Sequence, residues 1–233
     1  ISIDDFPEKH NKVRKIPDLF KSCLDTYFRV KSFGSNITSS ASITVTQENC
    51  KNIENIFNYM FYDCKIDSIK GILVRDEGVY KTPEKERKKI FEAYTWLVDK
   101  ITEFTEKGLM KNHNKDSLQG KLHNAKDKIS YGLVKKMYLE PHYISPCHAG
   151  SLFGVITASG LVYPCEILDD KLLGDLRKNN MNFKEIWENK ESIEAKKFIK
   201  KSKCNCTYEC ALTYNVLGNW RYQPQLIKSV LKS

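Results

Sequence analysis

No stretch of this 233-residue chain is apolar for long enough to cross a bilayer, and its N-terminal stretch does not run from charged to apolar as a secretory signal does. It also has no glycine-rich phosphate loop, no internal repeat and no low-complexity tract, which removes P-loop chemistry, solenoids and disordered linkers from the reading. Histidine is scarce, at 5 residues. His10, His113, His123 and His142 share no helical or strand spacing with a cysteine pair, so surface or core roles are expected; His148 differs only in adjoining Cys147. Lys and Arg outnumber Asp and Glu by 38 to 29, for a net charge of +9, but the lysines are spread along segments that also carry acids, as in Glu84 to Lys89 and Glu185 to Lys201. A solvated helix face is expected there, not a nucleic-acid groove. These absences describe a cytoplasmic protein with no membrane and no nucleic-acid partner, in a compartment where thiols stay reduced. The Asn-x-Ser/Thr matches at Asn36 and Asn205 are then accidental.

What is present is an alternation of strand and helix signals. A strand is predicted at Ile1 to Ile3. A helix is predicted over Asp18 to Val30, with Pro17 at its entry and an apolar stripe through Leu19, Phe20, Cys23, Leu24, Tyr27 and Phe28. The β-branched run Ala41 to Thr46, a helix carrying Ile53, Ile56, Phe57 and Met60, and a strand over Ser68 to Val74 follow. Such alternation predicts right-handed crossovers and a parallel sheet. Three strands are few for such a sheet, so further strands are expected upstream of Ile1 or from another chain. Two long helices are then predicted. One starts at Thr82 and Pro83 and repeats Ile90, Tyr94, Leu97, Ile101 and Phe104; the other carries Leu118, Leu122, Ala125, Ile129, Leu133 and Met137. Pro141 and Pro146 mark a change of architecture, giving domains 1–140 and 141–233.

The chain has 8 cysteines, and five of them follow that boundary: Cys147, Cys165, Cys204, Cys206 and Cys210. A chain of this length buries a core without disulfide staples, and thiolates delivered as distant pairs can close a tetrahedral metal or iron–sulfur site. Phe153 to Thr157 and Leu161 to Tyr163 flank the turn Ser159-Gly160, which places Cys147 before and Cys165 just after a β-ribbon. Asn182, with Glu185 three residues on, opens a helix predicted to run to about Lys200 and deliver the chain to Cys204. Zinc and iron both suit a site of four sulfurs. Trp96 and Trp187 sit on apolar helix faces and read as core, and Thr44 and Thr46 read as strand formers.

The segments Gly160-Leu-Val-Tyr-Pro-Cys165-Glu166, Gly174-Asp175-Leu176-Arg177, Phe183-Lys-Glu-Ile-Trp187 and Cys206-Thr-Tyr-Glu-Cys210 together resemble the C-terminal auxiliary-cluster domain of radical SAM proteins, in its SPASM or shortened Twitch form. Ser2-Ile3-Asp4-Asp5, with His10 and Arg14 in the loop that follows, resembles the Ser-x-Asp-Gly strand end of that family; its Gly is Asp5 here. Ile43-Thr44-Val45-Thr46 with Asn49, and Leu73-Val74-Arg75-Asp76, resemble later strands of the same barrel. The resemblance implies an α/β fold: the C-terminal part of a parallel (β/α) partial barrel, then a small α+β cluster domain with a β-hairpin. It implies one auxiliary [4Fe-4S] cluster on Cys147, Cys165, Cys206 and Cys210, with Cys204 competing with Cys206, and a role in electron transfer or support because four thiolates saturate the iron. Tyr163 and Pro164 would shield the cluster. Ser2 and Asp4 would lie near S-adenosylmethionine, and Arg75 would meet a carboxylate of that cofactor or of substrate, or else pair with Asp76 or Glu77. The parent enzyme would cleave S-adenosylmethionine on a second [4Fe-4S] cluster and abstract hydrogen from a peptide, carbohydrate or small-molecule substrate, with a protein electron donor as partner. The Cys-x3-Cys-x2-Cys loop for that cluster does not occur here, and Cys23, Cys50 and Cys64 are too dispersed to replace it. The chain alone is therefore expected to be inactive. The alternative is a non-catalytic binding module stabilised by zinc or a cluster.

Overall fold

A computed structural model describes residues 1–34, 39–75, 82–111 and 117–232; Asn36, Asp76, Glu77 and His113 lie outside them. The polar helix α1 (Pro7–Arg14) comes first, then α2 (Leu19–Lys31), strand β1 (Ala41–Val45), α3 (Ile53–Asn58), strand β2 (Ile69–Leu73) and the long helices α4 (Glu84–Glu106) and α5 (Leu118–Leu139). The ribbon strands β3 (Val155–Ile156), β4 (Leu161–Tyr163) and β5 (Gly174–Asp175) follow, and α6 (Phe183–Glu188), α7 (Lys190–Lys201), α8 (Glu209–Gly218) and α9 (Gln223–Lys232) close the described chain.

β1 and β2 pair in parallel, from Ala41 opposite Ile69 to Val45 opposite Leu73, as strand–helix–strand alternation requires. The stretch predicted as a first strand contributes only a bridge between Ser2 and Ser42, also parallel. Alternate residues Ala41, Ile43 and Val45, and Ile69 and Leu73, are buried beneath α4, whose Tyr94, Leu97 and Val98 are fully enclosed. The helix can approach because β2 carries Gly71, where a Cβ would lie 2.8 Å from Val98 Cγ1.

Backbone accounting explains how β2 ends the sheet. Even-numbered amides face β1, as where Val74 N–H donates to Val45 O at 3.0 Å. On the opposite margin Leu73 N–H donates to Glu209 Oε1 at 2.7 Å, and Gly71 N–H is paired with the Tyr131 hydroxyl. Side chains of α5 and α8 thus satisfy groups that another strand would otherwise take.

Residues 1–139 form one large core, to which Leu212, Val216 and Leu226 of the last two helices return. The ribbon and α6–α7 have separate small cores: Val162, Leu173, Leu176, Ile186 and Ala195 in one, and Ala149, Cys165 and Ile199 in the other. Trp96 packs on the large core, edge to face with Phe57 at 5.9 Å, and Trp187 on a small one. Two expectations need correction. The ribbon has three antiparallel strands, because Leu161↔Asp175 pairing adds β5. The helix expected from Asn182 to Lys200 is broken at Asn189, whose backbone is extended (ψ 177°). Its Oδ1 accepts Ser192 N–H at 2.8 Å and its Nδ2 donates to Leu173 O at 2.8 Å, so it caps α7 and ties it to the residue just before β5.

Candidate metal centre

Local chemistry positions each cysteine. Gly160 (φ +92°) lets the chain reverse between β3 and β4, and Arg177 clamps the turn by donating to Ser159 O at 2.7 Å and Ala158 O at 3.1 Å. β4 then carries buried Pro164 and Cys165 inward, Cys165 being 4% exposed. Its sulfur is met by the backbone N–H groups of Glu166 and Ile167, which partly offset the upward push of burial on its pKa. Cys147 is held by Asn215 of α8. Asn215 is 5% exposed, accepts His148 N–H on Oδ1 at 2.8 Å and hydrogen-bonds the Cys147 sulfur.

Cys147 and Cys204 come within hydrogen-bonding reach of one another. With Cys204 as donor, and with Ala149 N–H and Asn215 outweighing burial, the Cys147 thiol is pulled down to about 6; Cys204 is pushed up by the same bond and by burial. Cys165 and Cys206 lie near enough for their charges to act on Cys204. Cys147, Cys204 and Cys206 border one small, open hollow whose apolar wall includes Leu133, Met137 and Leu212. Cys210, which is exposed, lies in the first turn of α8, and burial raises the pKa of nearby Tyr208, with Glu166 and Cys210 adding to the rise. Among the described residues no three Cys, His, Asp or Glu side chains gather closely enough to hold a single metal ion.

The remaining cysteines belong elsewhere. Cys50 and Cys64 are buried in the large core and Cys23 packs against it; burial raises all three thiols. His148 Nε2 is enclosed without a hydrogen-bond partner, and burial lowers its pKa.

The residues read as cofactor contacts each make contacts within the fold. Asp4 accepts from Arg14 Nε at 3.0 Å and from Thr44 N–H at 3.0 Å, and its carbonyl accepts from buried Asn49 at 2.7 Å. Ser2 bridges to Ser42, and its carbonyl faces Cys23 Sγ at 3.6 Å. Arg75 pairs with Glu166 at 3.2 Å and stacks on Tyr208, Cζ lying 4.6 Å from the ring centroid. Sequence reasoning read Cys206-Thr-Tyr-Glu-Cys210 for its cysteines and passed over the Tyr and Glu between them. Glu209 carries a carboxyl pushed up to about 7 by burial, against the opposing effects of Leu73 N–H, its own N–H and Arg75. Two polar side chains at the start of a helix bounded by apolar sequence were the available signal.

Residues 147–211 match the model of SPASM, an iron–sulfur cluster-binding domain. Among curated proteins none matches the chain. Among solved structures, native anSMEcpe with bound AdoMet and Kp18Cys peptide is 16% identical, with a TM-score of 0.54 over 100% of this chain and 69% of that one. Native anSMEcpe with bound AdoMet is 19% identical, with a TM-score of 0.54 over 100% of this chain and 64% of that one. The chain therefore spans about two thirds of the length of these structures. The chain shares the fold of these AdoMet-bound structures, and its residues 147–211 match a SPASM iron–sulfur cluster-binding domain.

Proposed function

We propose that residues 147–211 hold one auxiliary [4Fe-4S] cluster on Cys147, Cys165, Cys204 and Cys210, and that it carries electrons or supports structure within a radical SAM enzyme. The observation that carries this reading is the contact between Cys147 and Cys204 on the hollow that Cys206 also borders. It favours Cys204 over Cys206 for the place that spacing left between them. The donor set fits the group in kind. Its sulfurs are met by backbone N–H donors at Cys147 and Cys165, which stabilise thiolate ligands, and the hollow has an apolar wall. When bound, the cluster supplies one-electron redox chemistry. The chain's own residues deliver thiolates, donate hydrogen bonds to sulfur and limit water.

Asp4 and Arg75, read from the sequence as contacts to S-adenosylmethionine, are also held by groups of this chain. In this reading the whole enzyme cleaves S-adenosylmethionine and abstracts hydrogen from a peptide, carbohydrate or small-molecule substrate. It draws electrons from a protein donor, and the present chain contributes part of the barrel together with the auxiliary site.

The test is iron, sulfide and zinc analysis with a visible spectrum, on anaerobically prepared protein. About four iron and four sulfide per chain, with absorption bleached by dithionite, are expected. Cys204→Ala should abolish the cluster while Cys206→Ala and Cys23→Ala keep it. One zinc and no colour would instead identify a structural or binding module.

A further inference from the structure

The end of β2 meets both arms of the cysteine segment through residues that supply no sulfur. One arm is the ribbon, which carries Cys165 and, directly after it, Glu166. The other is the entry to α8, where Tyr208 and Glu209 precede Cys210. Arg75 stands two residues beyond the last residue of β2 and touches both arms. Its Nη1 is 3.2 Å from Glu166 Oε2, and its Cζ lies 4.6 Å from the Tyr208 ring centroid. Tyr208 itself packs on the small core of Ala149, Cys165 and Ile199, as do Cys147 and Cys204.

A second hold on the α8 arm is independent of Arg75. Glu209 Oε1 accepts Leu73 N–H at 2.7 Å, which fixes the start of α8 to the backbone of β2. Given that anchor, the pairing of Arg75 with Glu166 fixes the ribbon arm to the same strand. These two hydrogen bonds join residues 136 and 91 positions apart, so only the folded chain brings the arms together here.

The exposure of the pair says what it can do. Arg75 and Glu166 keep 33% and 49% of their side-chain surface in contact with solvent, and ion pairs this open add little to folding. A guanidinium that also lies on an aromatic ring is held in one plane, so its contribution is geometric. Groups standing behind metal ligands act in this way, and losing one commonly costs about 10–100-fold in metal affinity.

We propose that Arg75 is a positioning residue for the cysteine site: by pairing with Glu166 and lying on Tyr208, it holds the ribbon arm and the α8 arm at the separation their sulfurs need. The proposal rests on the reading of residues 147–211 as a [4Fe-4S] site with Cys165 and Cys210 among its ligands. The strand that sets the spacing of the ligands supplies none of them.

The experiment follows iron release to a chelator from the full chain reconstituted with iron and sulfide, beside urea unfolding of the metal-free chain. Arg75→Ala should release iron about 10-fold faster than wild type and, without metal, should unfold at the wild-type urea concentration. Glu166→Ala should also speed release, and the double variant should be no faster than Arg75→Ala, because the two changes remove one contact. Arg75→Lys, which keeps a charge beside Glu166, should recover part of the loss. A wild-type release rate in Arg75→Ala overturns the proposal. So does a lower unfolding midpoint of that variant without metal, which would make Arg75 a support of the fold at large. Additive effects of Arg75→Ala and Glu166→Ala would show separate actions and overturn the shared hold. Release from Arg75→Lys as fast as from Arg75→Ala would overturn the part given to the ion pair. A wild-type chain that takes up no iron overturns the cluster reading, and this inference with it.

Discussion

The large N-terminal core and the cysteine segment differ in what holds them. Residues 1–139 enclose long aliphatic and aromatic side chains in one continuous core, with Tyr27, Tyr94, Phe57, Ile43 and Leu97 fully buried. Residues 147–201 rely on two clusters of five and three buried residues, one of which includes Cys165 itself. Apolar burial scales with area removed from water, so the first region closes on side chains alone, while the second spends its interior on sulfur and short backbone contacts. A segment built this way gains stability from what its sulfurs bind, as small metal-dependent domains do.

Removing the metal tests that contrast most severely. Structural metal sites carry apparent binding energies on the order of 10 kcal/mol. Chelation should therefore greatly accelerate amide hydrogen exchange in β3, β4 and β5 while α4 and α5 keep their protection, measured by mass spectrometry. Equal acceleration in both regions would erase the distinction. A smaller effect is expected in the other direction. Leu97→Ala, at a fully buried position, should cost about 2–5 kcal/mol in denaturant unfolding without reducing iron per folded chain; a parallel loss of iron would mean that the large core is what supports the site.

The smallest effect concerns pH and lies wholly within the first region. His10 is buried, its Nδ1 accepts Asp4 N–H at 3.2 Å, and burial holds its pKa below 6.5, with Asp4 and Asp5 opposing and Arg14 assisting. The unfolded chain takes up a proton on this ring before the folded chain does. Stability from this group is thus present above pH 6.5 and falls as pH drops through the folded value. His10→Gln should flatten that part of the stability profile, measured by urea unfolding of metal-free protein. An unchanged slope would show that His10 does not contribute.

Where one face of an element is buried, the sequence carried a readable period. Ile90, Tyr94, Leu97, Ile101 and Phe104 located α4, and the β-branched run Ala41 to Thr46 located β1. The ribbon was legible because Gly160 supplies the turn. α1 was missed because Pro7–Arg14 is almost wholly polar, burying only His10; it is held by contacts distant in sequence, which a local pattern does not carry. The break at Asn189 was missed for the same reason, since its second hydrogen bond goes to Leu173. At the site, the residue type announced sulfur chemistry. Which sulfur meets Cys147, and that Arg75 turns to Glu166, depends on how β2 meets α8, and no spacing encodes that.

The capped margin of β2 also gives the sheet a direction of growth. With Gly71 and Leu73 amides committed to Tyr131 and Glu209, that side cannot template a foreign strand, which protects the chain from edge-to-edge aggregation there. Strand addition is left to the side of residues 1–3. Any segment that extends the sheet must therefore enter from the margin opposite the cysteines, without disturbing α8 or the sulfurs it positions.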